Sequence, residues 1–102
     1  MLITKARGVY IDHAQGGLFL IRTERSGSLF TTPGGEIRSE EDHIEGLRRI
    51  VLSETGFEPQ EIISDPILTL KRGKQPEHEV FVYGMRLEVP ADYLLQESLT
   101  YG

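Results

Sequence analysis

Residues 35–57 read GEIRSEEDHIEGLRRIVLSETGF, and they carry the clearest structural signal in the chain. Apolar residues recur in it at Ile44, Leu47 and Val51, at intervals of three and four positions. On a helix this spacing gathers them into one apolar stripe, which a globular protein turns toward its core. The pattern therefore predicts an amphipathic helix over residues 40–55.

The two ends of this predicted helix carry their own signals. Ser39 is suited to be the N-cap, because its hydroxyl can accept a hydrogen bond from the first turn. Acidic residues follow it, where the positive end of the helix dipole favours negative charge. Gly56 follows the last turn, at the position where glycine commonly ends a helix.

Segments rich in β-branched and aromatic residues flank the helix and are predicted to be strands: residues 2–12, 17–23, 29–32, 61–70 and 78–89. The first two make a predicted hairpin with its turn at Gln15-Gly16-Gly17, and Pro33-Gly34-Gly35 predicts a further turn. Pro90 is suited to begin a short C-terminal helix over residues 91–98. This element order predicts an α+β fold with a mixed sheet, in a single domain spanning residues 1–102.

The bulk composition narrows the classes of partner. The chain has 102 residues, of which 38% are apolar and 26% charged, with a formal net charge of -5. An acidic balance disfavours nucleic-acid polymers and anionic membranes as partners, because both require clustered cations. There is no cysteine, so disulfides and thiolate metal sites are excluded. No stretch is long and apolar enough for a membrane span, and we expect a cytoplasmic protein.

Residues 35–57 resemble the Nudix box, G-x5-E-x7-R-E-U-x-E-E-x-G-U, in which U is an apolar residue. Residues on the fixed positions of that pattern are Gly35, Glu41, Arg49, Val51, Glu54, Gly56 and Phe57. Ile50 and Ser53 stand where the pattern has two glutamates. The resemblance, which covers residues 3–88, implies an α/β/α Nudix-like sandwich with the box helix on one face of a mixed sheet and a short C-terminal helix.

The same resemblance implies a chemistry. Nudix proteins hydrolyse a nucleoside diphosphate linked to another group, using Mg²⁺ or Mn²⁺ held by glutamates of the box helix. Positions 50, 53 and 54 form one patch on a helix, so three carboxylates there can hold hard cations. This chain keeps only Glu54, because Ile50 cannot ligate and the neutral Ser53 is a poor replacement for a carboxylate.

The resemblance also supplies a set of expected site residues. Glu54 and Glu41 are the expected catalytic and metal-binding residues, with Glu88 and Glu97 as additional acids from later in the chain. The residues expected to bind substrate are Arg22, Arg25, Gly34 and Gly35, and those expected to be structural are Arg49 and Gly56. The ligand pocket is expected between the helix and the sheet.

These residues imply a Nudix-like domain that acts on or binds a diphosphate-containing compound, with Mg²⁺- or Mn²⁺-dependent pyrophosphohydrolase activity weakened or lost. The rival is a non-catalytic ligand-binding or protein-interaction module, in which Ile50 adds apolar surface beside Leu47 and Val51. A homodimer through an uncovered sheet face is a third reading. Arg49 has two candidate partners, a box glutamate and Glu45 one helical turn earlier.

Overall fold

The structure is a computed structural model that describes residues 2–12, 17–18, 20–21, 30–73 and 77–88. Its elements are, in chain order, β1 Leu2–Val9, β2 Ile11–Asp12, β3 Gly17–Leu18, β4 Gly34–Glu36, α1 His43–Thr55, β5 Glu61–Ile62, β6 Leu68–Arg72 and β7 Glu77–Arg86. One helix lies against a mixed sheet, which confirms the predicted α+β class. The short helix predicted over residues 91–98 lies outside the described residues.

The main sheet is mixed. Its strands follow the order β4-β1-β7-β5, and β6 also pairs with β7. The pairing of β1 with β7 is parallel, whereas β4, β5 and β6 pair antiparallel with their neighbours. Paired residues share a face of a sheet and side chains alternate along each strand. The register therefore places Ala6, Gly35 and Phe81 on one face, and Arg7 and Val82 on the other.

The core lies between α1 and the first of these two faces. Ala6 from β1 and Leu47 and Val51 from α1 are fully buried. The buried core residues are Ala6, Ile21, Ile37, Leu47, Ile50, Val51, Tyr83, Met85 and Leu87. These side chains pack between the helix and the sheet. The ligand pocket expected there stays a prediction.

The helix begins three residues later than predicted. Its N-cap is Asp42, whose carboxylate accepts hydrogen bonds from the backbone N–H groups of Ile44 at 3.1 Å and Glu45 at 3.4 Å. Ser39, the predicted N-cap, donates its hydroxyl to the Glu40 carboxylate instead. Serine and aspartate are both good N-caps, so sequence preference alone does not choose between them.

The C-terminal end of the helix was predicted correctly. Gly56 has φ of 80°, in the left-handed region, and donates its N–H to the carbonyl of Leu52 at 2.8 Å. Residues with a Cβ rarely adopt this conformation, which explains the glycine. The chain then turns toward β5.

The two predicted turns have different outcomes in the structure. The antiparallel pairing of β2 with β3 confirms the first hairpin. Of its predicted turn residues, Gln15 and Gly16 lie outside the described residues, and Gly17 belongs to β3. The turn predicted at Pro33-Gly34-Gly35 is wrong, because Gly34 and Gly35 belong to β4 and pair with β1. A Cβ on Gly34 would lie 2.5 Å from the Ala6 carbonyl oxygen. The missing side chain of Gly34 therefore allows β4 to lie close to β1.

The second antiparallel pair is confirmed, but its first strand is interrupted. Residues 61–70 form β5 and the start of β6, and both strands pair with β7. Pro66 lies in the interruption. Because proline has no N–H to donate to a ladder, a continuous strand across it is disfavoured.

Candidate functional site

Arg49 and Glu41 form a two-point ion pair beside α1. Arg49 donates from Nε to Glu41 Oε2 at 2.7 Å and from Nη2 to Glu41 Oε1 at 2.9 Å. The same Nη2 reaches the Glu36 carbonyl at 3.4 Å, and the backbone N–H of Arg38 donates to Glu41 Oε1 at 3.1 Å. Arg49 therefore ties α1 to the loop that precedes the helix. The alternative prediction, that Arg49 pairs with Glu45, is wrong.

The ion pair changes the acidity of both partners. The hydrogen bond from Arg49, followed by that from the Arg38 backbone, lowers the pKa of Glu41 from 4.5 to about 2. The hydrogen bond to Glu41 in turn raises the pKa of Arg49. The Glu41 carboxylate is therefore ionised at neutral pH, but an adjacent guanidinium already balances its charge. This balance reduces what Glu41 can offer to a bound cation.

Glu54 joins the end of α1 to β4. Its Oε1 accepts a hydrogen bond from the backbone N–H of Gly34 at 2.9 Å, and the residue is half-buried. Its Oε2 accepts no hydrogen bond from any residue that the structure describes. One carboxylate oxygen of the predicted patch is thus able to face a ligand or a cation.

Ile50 occupies the place next to Glu54 on the same helix and belongs to the core. It is 7% exposed, and a Cβ built on Gly35 would lie 3.6 Å from its Cδ1 and Cγ2 atoms. The expectation that Ile50 adds apolar surface is therefore wrong. Ser53, the other departure from the box pattern, is exposed.

These residues do not fit a resident divalent ion of the kind the box helix would hold. Mg²⁺ is bound mainly through anionic oxygens and otherwise keeps its waters. Within the described ranges, no group of three or more His, Cys, Asp or Glu side chains is placed to hold a metal ion. Glu54 supplies one carboxylate, and Glu41 is held by Arg49.

The other predicted site residues are only partly located. Glu88 is exposed and accepts a hydrogen bond from the Gln60 side chain at 2.8 Å. Arg22, Arg25 and Glu97 lie outside the residues that the structure describes. Of the predicted substrate-binding residues, the structure therefore locates the two glycines of β4.

Arg7 is a cation near these glycines that sequence reasoning did not single out. Its Nη1 donates to the Thr32 carbonyl at 2.6 Å and to the Thr31 hydroxyl at 3.2 Å. It lies half-buried in β1, on the sheet face opposite α1. β1 also carries Lys5 two residues earlier, so no local signal set Arg7 apart from an ordinary exposed cation.

A cavity of about 380 Å³ lies on the outer side of α1 rather than between helix and sheet. Its lining residues are Glu45, Arg48, Arg49, Leu52, Ser53 and Glu58. Two arginines face two glutamates, so the cavity carries no net charge that would attract a phosphate. Arg48 also donates to the Pro59 carbonyl at 2.6 Å, which fixes it beside the following loop.

In the described part of the chain, a mixed sheet packs on a helix and an Arg–Glu pair closes the loop before that helix, as the sequence resemblance implies. The family profile of the NUDIX domain matches residues 2–97, and the chain belongs to that family. The solution structure of the E. coli ORF135 protein superposes with a TM-score of 0.68 at 16% identity, covering 87% of this chain and 67% of that one. At this identity the likeness supports the fold alone.

Comparison with curated proteins gave no significant match. Within the described ranges the only helix, α1, has 13 residues, too few to cross a membrane.

Proposed function

We propose that this NUDIX domain binds a nucleoside-diphosphate-type or other diphosphate-containing compound, and that its metal-dependent hydrolysis is weakened or lost. Family membership supports a small-molecule ligand of this class. The observation that supports weakened or lost hydrolysis is the burial of Ile50 beside Gly35. At position 50 the box pattern has a metal-binding glutamate.

The number of available carboxylates supports weak metal binding. Even an outer-shell partner of a metal ligand contributes ~10–100-fold in affinity, so losing two anionic ligands should cost more than that. Glu54 is the residue that we propose as principal ligand in any remaining activity. Glu41 would then assist from its ion pair, with Glu88 and Glu97 as helpers from later in the chain.

In this proposal the β4 backbone and two arginines, rather than a metal cluster, are the main groups that recognise the ligand. Gly34 and Gly35 bring the β4 backbone close to the box helix, and Arg22 and Arg25 are the proposed phosphate partners. An arginine can bind two phosphate oxygens at once, so it can offset part of the missing cation charge. The net charge of -5 keeps nucleic-acid polymers and anionic membranes outside the proposed partners.

Calorimetry tests the proposal directly. Mn²⁺ is titrated into the protein alone and then with adenosine or uridine diphosphate, and each diphosphate is also titrated without metal. We expect heat from at least one diphosphate and no saturable heat from Mn²⁺ alone. Tight Mn²⁺ binding by the unliganded protein, or no binding of any diphosphate in a nucleotide panel, contradicts the proposal.

Restoring the two box glutamates tests whether the fold can still support hydrolysis once the carboxylates are present. The double variant Ile50→Glu with Ser53→Glu restores the two carboxylates, and Ile50→Gln with Ser53→Gln matches their shape without their charge. We expect metal-dependent phosphate release from the first variant only. Release by the parent protein at the rate of the glutamate variant contradicts a weakened site.

An apolar surface favours a second candidate, a protein-interaction module. Ile63, Ile67, Leu68 and Leu70 are each between 43% and 60% exposed. A Cβ on Gly84 would meet the tips of Ile63 and Ile67 at 3.4 and 3.6 Å, which places both on the sheet face opposite α1. We propose a second copy of this chain as the occupant of this surface.

Sedimentation at micromolar concentration tests this second candidate. If the surface joins two copies, the parent sediments as a dimer, and Leu70→Lys shifts it to a monomer by placing a charge in an apolar contact. Thr69→Lys is the matched control, because Thr69 precedes Leu70 on the same strand and its side chain points to the other face. A monomeric parent contradicts the candidate.

A further inference from the structure

Gly46 is a buried glycine in the interior of α1. Glycine weakens a helix interior relative to alanine, so its presence there requires another explanation. A Cβ built on Gly46 would lie 2.6 Å from Ile37 Cδ1 and 2.9 Å from Glu41 Oε1. Both distances are shorter than the roughly 3.5–4.0 Å of an ordinary van der Waals contact. The helix surface at Gly46 is therefore occupied by the loop that precedes the helix.

We propose that Gly46 is a positioning residue, whose missing side chain leaves the space in which the Glu41 carboxylate lies against α1 and meets Arg49. Arg49 follows Gly46 by three positions, so the two residues lie next to each other along the helix surface. The carboxylate seated there accepts two hydrogen bonds from Arg49 and one from the Arg38 backbone. Gly46 thus acts on the loop through Glu41. This role does not depend on which ligand the domain binds.

The two close neighbours of Gly46 differ in how they can respond to an added methyl group. The Ile37 methyl is the end of a flexible side chain and can rotate away. The Glu41 carboxylate is held by Arg49 and Arg38 and can move only by giving up those hydrogen bonds. An alanine at position 46 should therefore loosen the ion pair even where the core accommodates it.

The test is Gly46→Ala, observed by NMR at the Arg49 Nε–H and the Arg38 amide. We expect both hydrogens to exchange with solvent about tenfold faster or more, because the carboxylate that protects them is displaced. The free energy of unfolding is measured in parallel by urea titration. Leu68→Ala is the control, since Leu68 is exposed on β6, on the sheet face opposite α1, and its loss should leave both exchange rates unchanged.

A double variant separates positioning from simple overpacking. Ile37→Val removes the methyl group that a Cβ at position 46 would meet, but leaves Glu41 in place. The double variant Gly46→Ala with Ile37→Val should restore the packing of the core. It should not restore slow solvent exchange at the Arg49 Nε–H. It also provides the same measurement if the single variant does not fold. Slow exchange at Arg49 in Gly46→Ala, or slow exchange restored by Ile37→Val, overturns the proposal.

Discussion

The backbone N–H of Gly34 donates a 2.9 Å hydrogen bond to Oε1 of Glu54, which ties the last turn of α1 to the first residue of β4. Glu54 stands on a box position from which the family holds its metal, and here it also has this structural contact. Ile50 contacts the next glycine from the adjacent position of the helix. The helix and β4 are thus joined by a hydrogen bond to the retained Glu54 carboxylate and by the apolar side chain of Ile50, which stands where the box pattern has a glutamate.

Replacing Glu54 should therefore lower stability. Glu54→Ala removes the acceptor of the Gly34 N–H, and hydrogen bonds to charged groups contribute about 1.5–3 kcal/mol. Because Glu54 is only half-buried, we expect a loss below that range, about 1 kcal/mol, in the free energy of unfolding measured with urea. Glu54→Gln keeps an acceptor oxygen and should lose less. Equal stability of the parent and the alanine variant would show that the hydrogen bond contributes nothing.

Acid should weaken the fold through Glu41. Its pKa is lowered to about 2 in the folded state, against an ordinary value of 4.5, so the unfolded state binds the proton more tightly. The contribution of this group is therefore fully present above pH 4.5 and is lost as pH falls toward 2. We expect the stability of the parent to fall more steeply across this range than that of Glu41→Gln. Parallel pH profiles of the two proteins contradict this assignment.

Ile50 should behave as a core residue. Ile50→Val removes one buried methyl group and should lower the free energy of unfolding by about 1 kcal/mol, and Ile50→Ala by roughly 2–4 kcal/mol. Leu52→Ala, on the exposed side of the same helix, is the comparison and should cost much less. Similar losses at the two positions would mean that Ile50 is not packed as the structure describes.

Gly56 should resist substitution because of its backbone and not its surroundings. Its φ is 80°, and a Cβ there would meet no atom within 4 Å. Gly56→Ala should cost about 1 kcal/mol, since the left-handed conformation is unfavourable by roughly 1–2 kcal/mol for residues with a Cβ. Gly56→Asn should cost less, because asparagine tolerates this region better. Urea titration of both variants distinguishes this order from a uniform effect.

The sequence predicted the helix well because its signals are local. Leu47 and Val51 gave the periodicity, and Gly56 gave the end, where the structure has the left-handed φ. The start was less predictable, because Glu41 lies in the loop before the helix and pairs with Arg49, eight residues later. A local pattern does not reveal that such a contact will override the preference of three acidic residues for a first helical turn.

The remaining differences also arise from contacts between distant segments. Gly34 and Gly35 have the composition of a turn, but the pairing with β1 places them in a strand. Gly46 gave no signal of its own, since its neighbours Ile37 and Glu41 are brought to it only by the folded loop. The two departures from the box pattern, Ile50 and Ser53, were in contrast visible in the sequence, because comparison with that pattern needs no knowledge of the folded chain.

The parallel ladder between β1 and β7 bears on how this chain is made. A ribosome releases β1 first, yet its partner is the last strand in the described part of the chain. Until β7 emerges, β1 has no neighbour on that side, and its unpaired backbone is open to strands of other nascent chains. Contacts between such distant segments slow folding. On overexpression, fragments that end before β7 should therefore be the most prone to aggregation.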